Sequence, residues 1–133
     1  MLNGLSKNAK DVLVSIDTGT HNTDWSGIWA SSQSGNIEYQ KVGDCVRIFI
    51  PTINATATTV SNISMVTALP SDLWPTNSEE VVLYVEDNLI KKVGKATIGI
   101  AGSINVYADA ATGSFAGSGL SGIQKCTLQY NLK

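Results

Sequence analysis

The chain has 133 residues, of which 43% are hydrophobic and 15% charged, and its formal net charge is −2. This length suits one domain with its own core, and the apolar content excludes a disordered chain. No cationic cluster is denser than Lys91, Lys92 and Lys95, and no apolar run approaches 18 residues. Nucleic-acid binding and membrane insertion are therefore not expected.

The N-terminal part differs in composition from the rest. It lacks a cationic stretch followed by an apolar one, so no secretory signal is predicted. Within residues 11–17, Val12, Val14 and Ile16 share one face, which predicts a short strand, and residues 18–23 are polar with one glycine. We interpret residues 1–23 as a neck or linker with a short strand, and residues 24–133 as a compact head.

Two tryptophans open the head. Trp25 and Trp29 stand four residues apart, so in an unbroken strand they share one face. That face is expected to lie over the core or a subunit contact.

A β-hairpin is predicted next. Residues 36–42 and 44–50 are strand-like, and Gly43 between them can adopt a positive φ. Both faces of the second strand are largely apolar, which predicts a central strand, and Pro51 closes it.

Further strands follow at intervals with turn signals between them. Lys91 and Lys92 indicate an exposed turn or a charged edge strand. The expected architecture is all-β, an antiparallel β-sandwich or jelly-roll-like barrel. The predicted segments are strands at 58–69 and 80–86, a structured loop at 70–75, a hairpin from 95–100 and 103–109, a long loop at 110–122 and a last strand at 125–133.

Catalytic groups are scarce. His21 is the single histidine, it lies in the polar linker, and the nearest serine is Ser26. The acidic pairs at 79–80 and 86–87 flank one strand, where charges usually meet water. A hydrolase using Glu80 or Asp87 is the weakest alternative, and no enzyme activity or cofactor is predicted.

Two cysteines, Cys45 and Cys126, lie far apart in sequence. Two buried free thiols are the favoured interpretation, and a disulfide between neighbouring strands stays open. Two cysteines alone form no recognisable zinc site, so no metal is predicted.

Aromatic residues provide the candidate ligand contacts. Sugars are commonly bound by an aromatic face with polar groups beside it. Trp74 lies in the proline-flanked loop, and Tyr107 and Asp109 lie at a strand end. These three residues are the candidate ligand-binding residues, with core packing or loop anchoring as the alternative role.

Four short motifs occur in order, at residues 25–27, 37–46, 68–75 and 94–98. The second contains Tyr39 and Gly43, and the third contains Pro70 and Pro75. Together they resemble the C-terminal head domains of phage and viral tail fibres and baseplate receptor-binding proteins, over about four-fifths of the chain.

The resemblance implies a homotrimeric head displayed on a virion. Such a head recognises a host-surface saccharide or receptor, contacts other virion proteins through its neck, and presents three equal sites for avidity. The alternatives are a structural virion protein that binds only other virion proteins, and a lectin-like carbohydrate-binding module.

Overall fold

The computed structural model describes residues 16–133, which form two antiparallel β-sheets and one short 3-10 helix, Ser71–Leu73. This confirms the predicted all-β fold. The four-stranded sheet contains, in order across the sheet, β1 (Ile16–His21), β4 (Ile37–Val42), β5 (Cys45–Ile50) and β12 (Cys126–Asn131). The eight-stranded sheet contains, in order across the sheet, β3 (Gln33–Ser34), β2 (Asp24–Ser26), β7 (Ile63–Met65), β10 (Ile104–Tyr107), β9 (Ile90–Ile98), β8 (Glu79–Asp87), β11 (Leu120–Ile123) and β6 (Ile53–Thr56).

The core is one cluster to which the inner faces of both sheets contribute. Trp25 is fully buried, and its indole N–H donates to the Gly35 carbonyl at 2.8 Å. Trp29 is also buried, and its N–H lies between the carbonyls of Ala55 and Ser121, at 3.2 and 3.1 Å. No buried side-chain nitrogen or oxygen within residues 16–133 lacks a hydrogen-bond partner. The core position expected for both tryptophans is confirmed, although β2 ends at Ser26 and they do not share a strand.

The hairpin predicted around Gly43 is confirmed. β4 and β5 pair in antiparallel register from Val42 opposite Cys45 to Glu38 opposite Phe49. Gly43 has φ of 60°, a conformation that a side chain disfavours. β5 is a central strand, as predicted, because β4 and β12 flank it.

Several predicted segments are wrong in extent. The strand expected over residues 58–69 is limited to β7, because most of that segment is loop and the preceding residues form β6. The loop expected over 110–122 ends in β11, whose glycine lets β6 approach closely. The hairpin expected from 95 to 109 is formed by β9 and β10, and β9 begins already at Ile90.

Lys91 and Lys92 lie within β9 rather than in a turn. The register with β10 begins only at Lys95, so this end of β9 pairs with β8 alone. Lysines on a strand edge that is open on one side hinder addition of another strand, which agrees with the charged-edge interpretation.

The proposed neck falls largely on residues 1–15, which lie outside the described residues. The described remainder includes β1, which pairs along its whole length with β4. Residues 18–21, expected to be polar linker, are therefore part of the four-stranded sheet. The division into neck and head itself stays a prediction.

Cys45 and Cys126 are free thiols. Both are half-buried rather than fully buried. In the β5–β12 register Cys45 lies opposite Asn131 and Cys126 lies opposite Ile50, at opposite ends of the strand pair. A disulfide between them is excluded by this separation.

Candidate functional site

The outer face of the four-stranded sheet carries a regular array of side chains. Val46, Ile48 and Ile50 of β5 point into the core, so Arg47 and Phe49 point outward. Phe49 retains 39% of its exposure. The outward residues of the four strands are Thr20, Glu38, Phe49 and Thr127 in one row, Thr18, Gln40, Arg47 and Gln129 in the next, and Ile16, Val42, Cys45 and Asn131 in the last.

Phe49 is the only aromatic residue of this array, and a depression lies on each side of it. The larger, of about 480 Å³, also contacts Asn36, Glu38, Lys125 and Thr127. The smaller, of about 320 Å³, lies over β1 and β4. Both volumes fall in the range of small-molecule sites. We call the two depressions with Phe49 between them the Phe49 groove.

Glu38 lies in the row of Phe49 and borders both depressions. It forms neither of the ion pairs found within residues 16–133. Its carboxylate can therefore accept hydrogen bonds from a ligand. Arg47, in contrast, already has a partner within the sheet, because its Nε donates to the Gln129 Oε1 at 3.3 Å.

The floor of the larger depression includes Cys126. Burial raises the pKa of its thiol to about 11, so the group is neutral near pH 7. A neutral thiol is a poor nucleophile. Among the described residues Glu38 is the one carboxylate that borders the groove, whereas glycoside hydrolysis commonly requires two.

Trp74, predicted as a ligand contact, is anchored in the structure. Its indole N–H donates to the Leu69 carbonyl at 2.7 Å, and its ring lies against Gly102 in the β9–β10 turn, where a side chain would collide with it. The ring keeps 40% of its exposure, so one side faces outward.

Tyr107 and Asp109, the other two predicted contacts, lie at the far end of β10 from that turn. The Lys95 ammonium lies 5.8 Å from the centre of the Tyr107 ring. The Asp109 carboxylate accepts the backbone N–H groups of Ala111 and Gly113 at 2.9 and 2.8 Å, which fixes the following turn. The structure does not bring Trp74 together with these two residues.

The two carboxylates considered for a hydrolase do not lie in one site. Glu80 and Asp87 are seven positions apart on β8, roughly 23 Å along the strand and on opposite faces. Each is engaged, Glu80 with Lys95 at 3.3 Å and Asp87 with Lys92 at 3.2 Å. This spacing far exceeds the carboxyl separation in glycosidases.

His21 lies in β1, and its Nε2 is 2.8 Å from the Thr67 carbonyl oxygen. Ser26 lies in β2 of the other sheet, paired with Ser64. Within the described part of the chain, no cluster of three or more His, Cys, Asp or Glu side chains is arranged to hold a metal. No helix among residues 16–133 is long and apolar enough to cross a membrane.

Sequence reasoning missed the Phe49 groove. It treated both faces of β5 as largely apolar, although Arg47 shares the face of Phe49. An arginine within a strand is rarely buried, so its position already indicated that this face is exposed. The contributions of β1 and β12 depended on pairings that sequence does not give.

Comparison with solved structures shows which known fold this chain resembles. The structure resembles that of the reovirus attachment protein sigma1, solved in complex with alpha-2,3-sialyllactose, with a TM-score of 0.50 and 11% sequence identity. The match covers 88% of this chain and 66% of the sigma1 chain, so this chain spans slightly less than two thirds of that protein's structure. Such low identity shows a shared fold only.

The family follows from sequence. The chain is 38% identical over 123 residues to structural protein V8 of Sputnik virophage, a match that covers 88% of this chain and 67% of that protein. The chain therefore belongs to the family of this viral structural protein, which supports a location in the virion. No family model matches the chain.

Proposed function

We propose that this chain is the head of a virion attachment protein that binds a saccharide on the host-cell surface through the Phe49 groove. The observation that carries the proposal is the half-exposed Phe49 with polar side chains in its own row and in the next one, and a depression on either side. Phe49 offers an aromatic face to the apolar side of a sugar ring. Glu38 and the threonines of the same row offer partners for hydroxyl groups.

The comparisons support this proposal at two levels. Family membership makes the chain a viral structural protein, and the fold is one that an attachment protein uses. That the sigma1 structure contains a sialylated sugar makes a saccharide the first ligand class to test.

The homotrimer expected from the family resemblance belongs to the same proposal, as does attachment to other virion proteins through residues 1–23. Three equal grooves would raise the apparent affinity for a dense cell surface without any new contact. Trp74, Tyr107 and Asp109 stay predictions as ligand contacts. The Phe49 groove is preferred because its aromatic ring and polar groups converge on one surface.

The test is binding of the labelled full chain to candidate host cells before and after enzymatic removal of surface glycans. We expect binding that glycan removal abolishes. Phe49→Ala should lower it at least tenfold, because the stacking surface is lost. The matched control is Val66→Ala, which removes an exposed side chain outside the groove. Wild-type affinity in Phe49→Ala would reject the groove as the site.

A structural virion protein without a cellular receptor is the second candidate. It is favoured by the description of the relative as a structural protein and by a second exposed surface, which is apolar and is described below. It predicts that the wild-type chain binds no host cell, with or without surface glycans.

A further inference from the structure

The outer face of the eight-stranded sheet is apolar at its centre. Val82 and Tyr84 of β8 each retain 65% of their exposure, and Val93 of β9 retains 45%. The register places Tyr84 opposite Val93 and Val82 opposite Lys95, so these side chains are neighbours. We call Val82, Tyr84 and Val93 the apolar patch.

The tip of the same hairpin exposes further apolar side chains. Leu89, in the turn, is 68% exposed. Ile90 is 64% exposed, but it pairs with Asp87 and therefore points to the opposite face of the hairpin from the apolar patch. The apolar patch alone offers on the order of 300 Å² of apolar surface.

Leu89 has φ of 70° beside Asn88 at 51°. A turn with two positive φ values strongly favours Asn-Gly, so leucine at the second position is strained. The backbone of this turn is held by β11, because the Leu89 N–H donates to the Leu120 carbonyl and the Asn88 N–H donates to the Ser121 Oγ, each at 2.9 Å. The Leu89 side chain itself stays exposed. Strain of this kind is characteristic of functional positions.

Charges of both signs border the apolar patch. Glu80 and Lys91 lie on the same face of the β8–β9 pair, at its two ends. Lys95 lies between them and is within 3.3 Å of Glu80. The rim of the face can therefore form ion pairs with an identical surface, which a rim of one sign could not.

We propose that this face is where copies of this chain contact one another, with the apolar patch toward the axis of the assembly. A stable interface buries about 800 Å² on each partner, of which the apolar patch supplies somewhat more than a third and the charged rim around it the remainder. The Phe49 groove lies on the outer face of the other sheet, so it remains open in the assembly. The expected number of three copies rests on the homotrimer of the proposed function. The choice of this face as the contact surface does not depend on it.

The experiment is light scattering on the full chain at micromolar concentration. We expect the wild type to have about three times the mass of the 14.1 kDa chain. Tyr84→Ser combined with Val93→Ser should reduce the mass to that of one chain, with an unchanged circular dichroism spectrum. Glu80→Lys leaves the rim largely positive and should weaken association about tenfold.

The matched control is Val60→Ser combined with Val66→Ser, which replaces two exposed apolar side chains outside the apolar patch. It should leave the mass unchanged. A monomeric wild type, or an assembly that keeps its mass in the Tyr84–Val93 double variant, overturns the inference. A dimer that the double variant dissociates supports the surface and rejects the trimer.

Glycan binding separates this inference from the proposed function. Wild type and the double variant should bind an immobilised host glycan with the same affinity per single site. Loss of that binding in Phe49→Ala alone upholds the groove whatever the mass measurement gives.

Discussion

The two sheets present outer faces of opposite character. The four-stranded sheet exposes mainly hydroxyl, amide and charged groups around a single aromatic ring, Phe49, and its apolar side chains Ile16, Val42 and Cys45 lie in one row at the end of the face. The eight-stranded sheet exposes the aliphatic and aromatic side chains of the apolar patch, with charges at the rim. A polar face is stable in contact with water, whereas burying an apolar face against a partner lowers the free energy.

The proposed ligand binding and the proposed contact between copies each use one of these faces. Both faces rest on the same core, so the contrast can be tested by substitutions within the core and on each face.

The largest effect is expected in the shared core. Trp25→Ala should lower the free energy of unfolding by about 3–5 kcal/mol, because it removes a fully buried ring and the hydrogen bond to Gly35. Trp74→Ala is the matched control, and it should cost about 1–2 kcal/mol because that ring is 40% exposed. Urea unfolding measures both. Equal losses would contradict the assignment of Trp25 to the common core.

A pH effect is expected beneath the Phe49 groove. The folded chain holds the Cys126 proton up to about pH 11, whereas an exposed thiol releases it near pH 9.0. Above pH 9 the unfolded state binds fewer protons, so stability should fall as pH rises to 11, by up to about 2 kcal/mol.

Urea unfolding between pH 8 and 11 measures this decline, which Cys126→Ala should reduce and Cys45→Ala should leave in place. Part of the decline should remain in Cys126→Ala, because burial and the charge of Asp72 raise the pKa of Tyr130 well above its usual range. Identical profiles for wild type and Cys126→Ala would refute the buried neutral thiol.

Opposite functional losses are expected from the two outer faces. Phe49→Ala should lower glycan affinity at least tenfold, about 1.4 kcal/mol, and leave the assembly mass unchanged. Tyr84→Ser should weaken association by a similar factor and leave the affinity per site unchanged. Calorimetry measures the glycan affinity of both variants, and light scattering measures the mass of their assemblies. A variant that lost both properties would show that the faces are not independent.

The smallest effect is a gain in stability at the β8–β9 turn. Leu89→Gly should raise the free energy of unfolding of the dissociated chain by about 1 kcal/mol, because glycine adopts a positive φ without strain. Urea unfolding at low protein concentration checks this. The same variant should associate less tightly, since an exposed apolar side chain is lost. Tighter association would argue against a role for the hairpin tip in assembly.

Local pattern was sufficient for the hairpin of β4 and β5 and for the last strand. Alternation over residues 44–50 and 125–133 predicted both strands, and Gly43 predicted the turn between the first pair. In these strands apolar residues recur at every second position, as the period of a β-strand requires. Both strands can therefore be predicted without knowledge of the strands that pair with them.

Short strands with small or polar residues could not be predicted in the same way. β6 and β11 are far apart in sequence and pair with each other from Ile53 opposite Ile123 to Thr56 opposite Leu120. β11 contains Gly122, which reads as loop in sequence and in the structure permits close approach of the neighbouring strand. β1 likewise is a strand because β4 lies beside it.

The sequence by itself determined an all-β fold with few charges, the family to which the chain belongs and the turn of the β4–β5 hairpin. Tertiary structure decided which of the two faces of β5 meets water, because that depends on the sheet packed against the other face. The outward position of Tyr84 followed from the sequence, because Val81, Leu83 and Val85 fill the inward positions of its strand. The position of Phe49 between two depressions did not, because both faces of its strand are largely apolar and alternation does not say which face the core will cover.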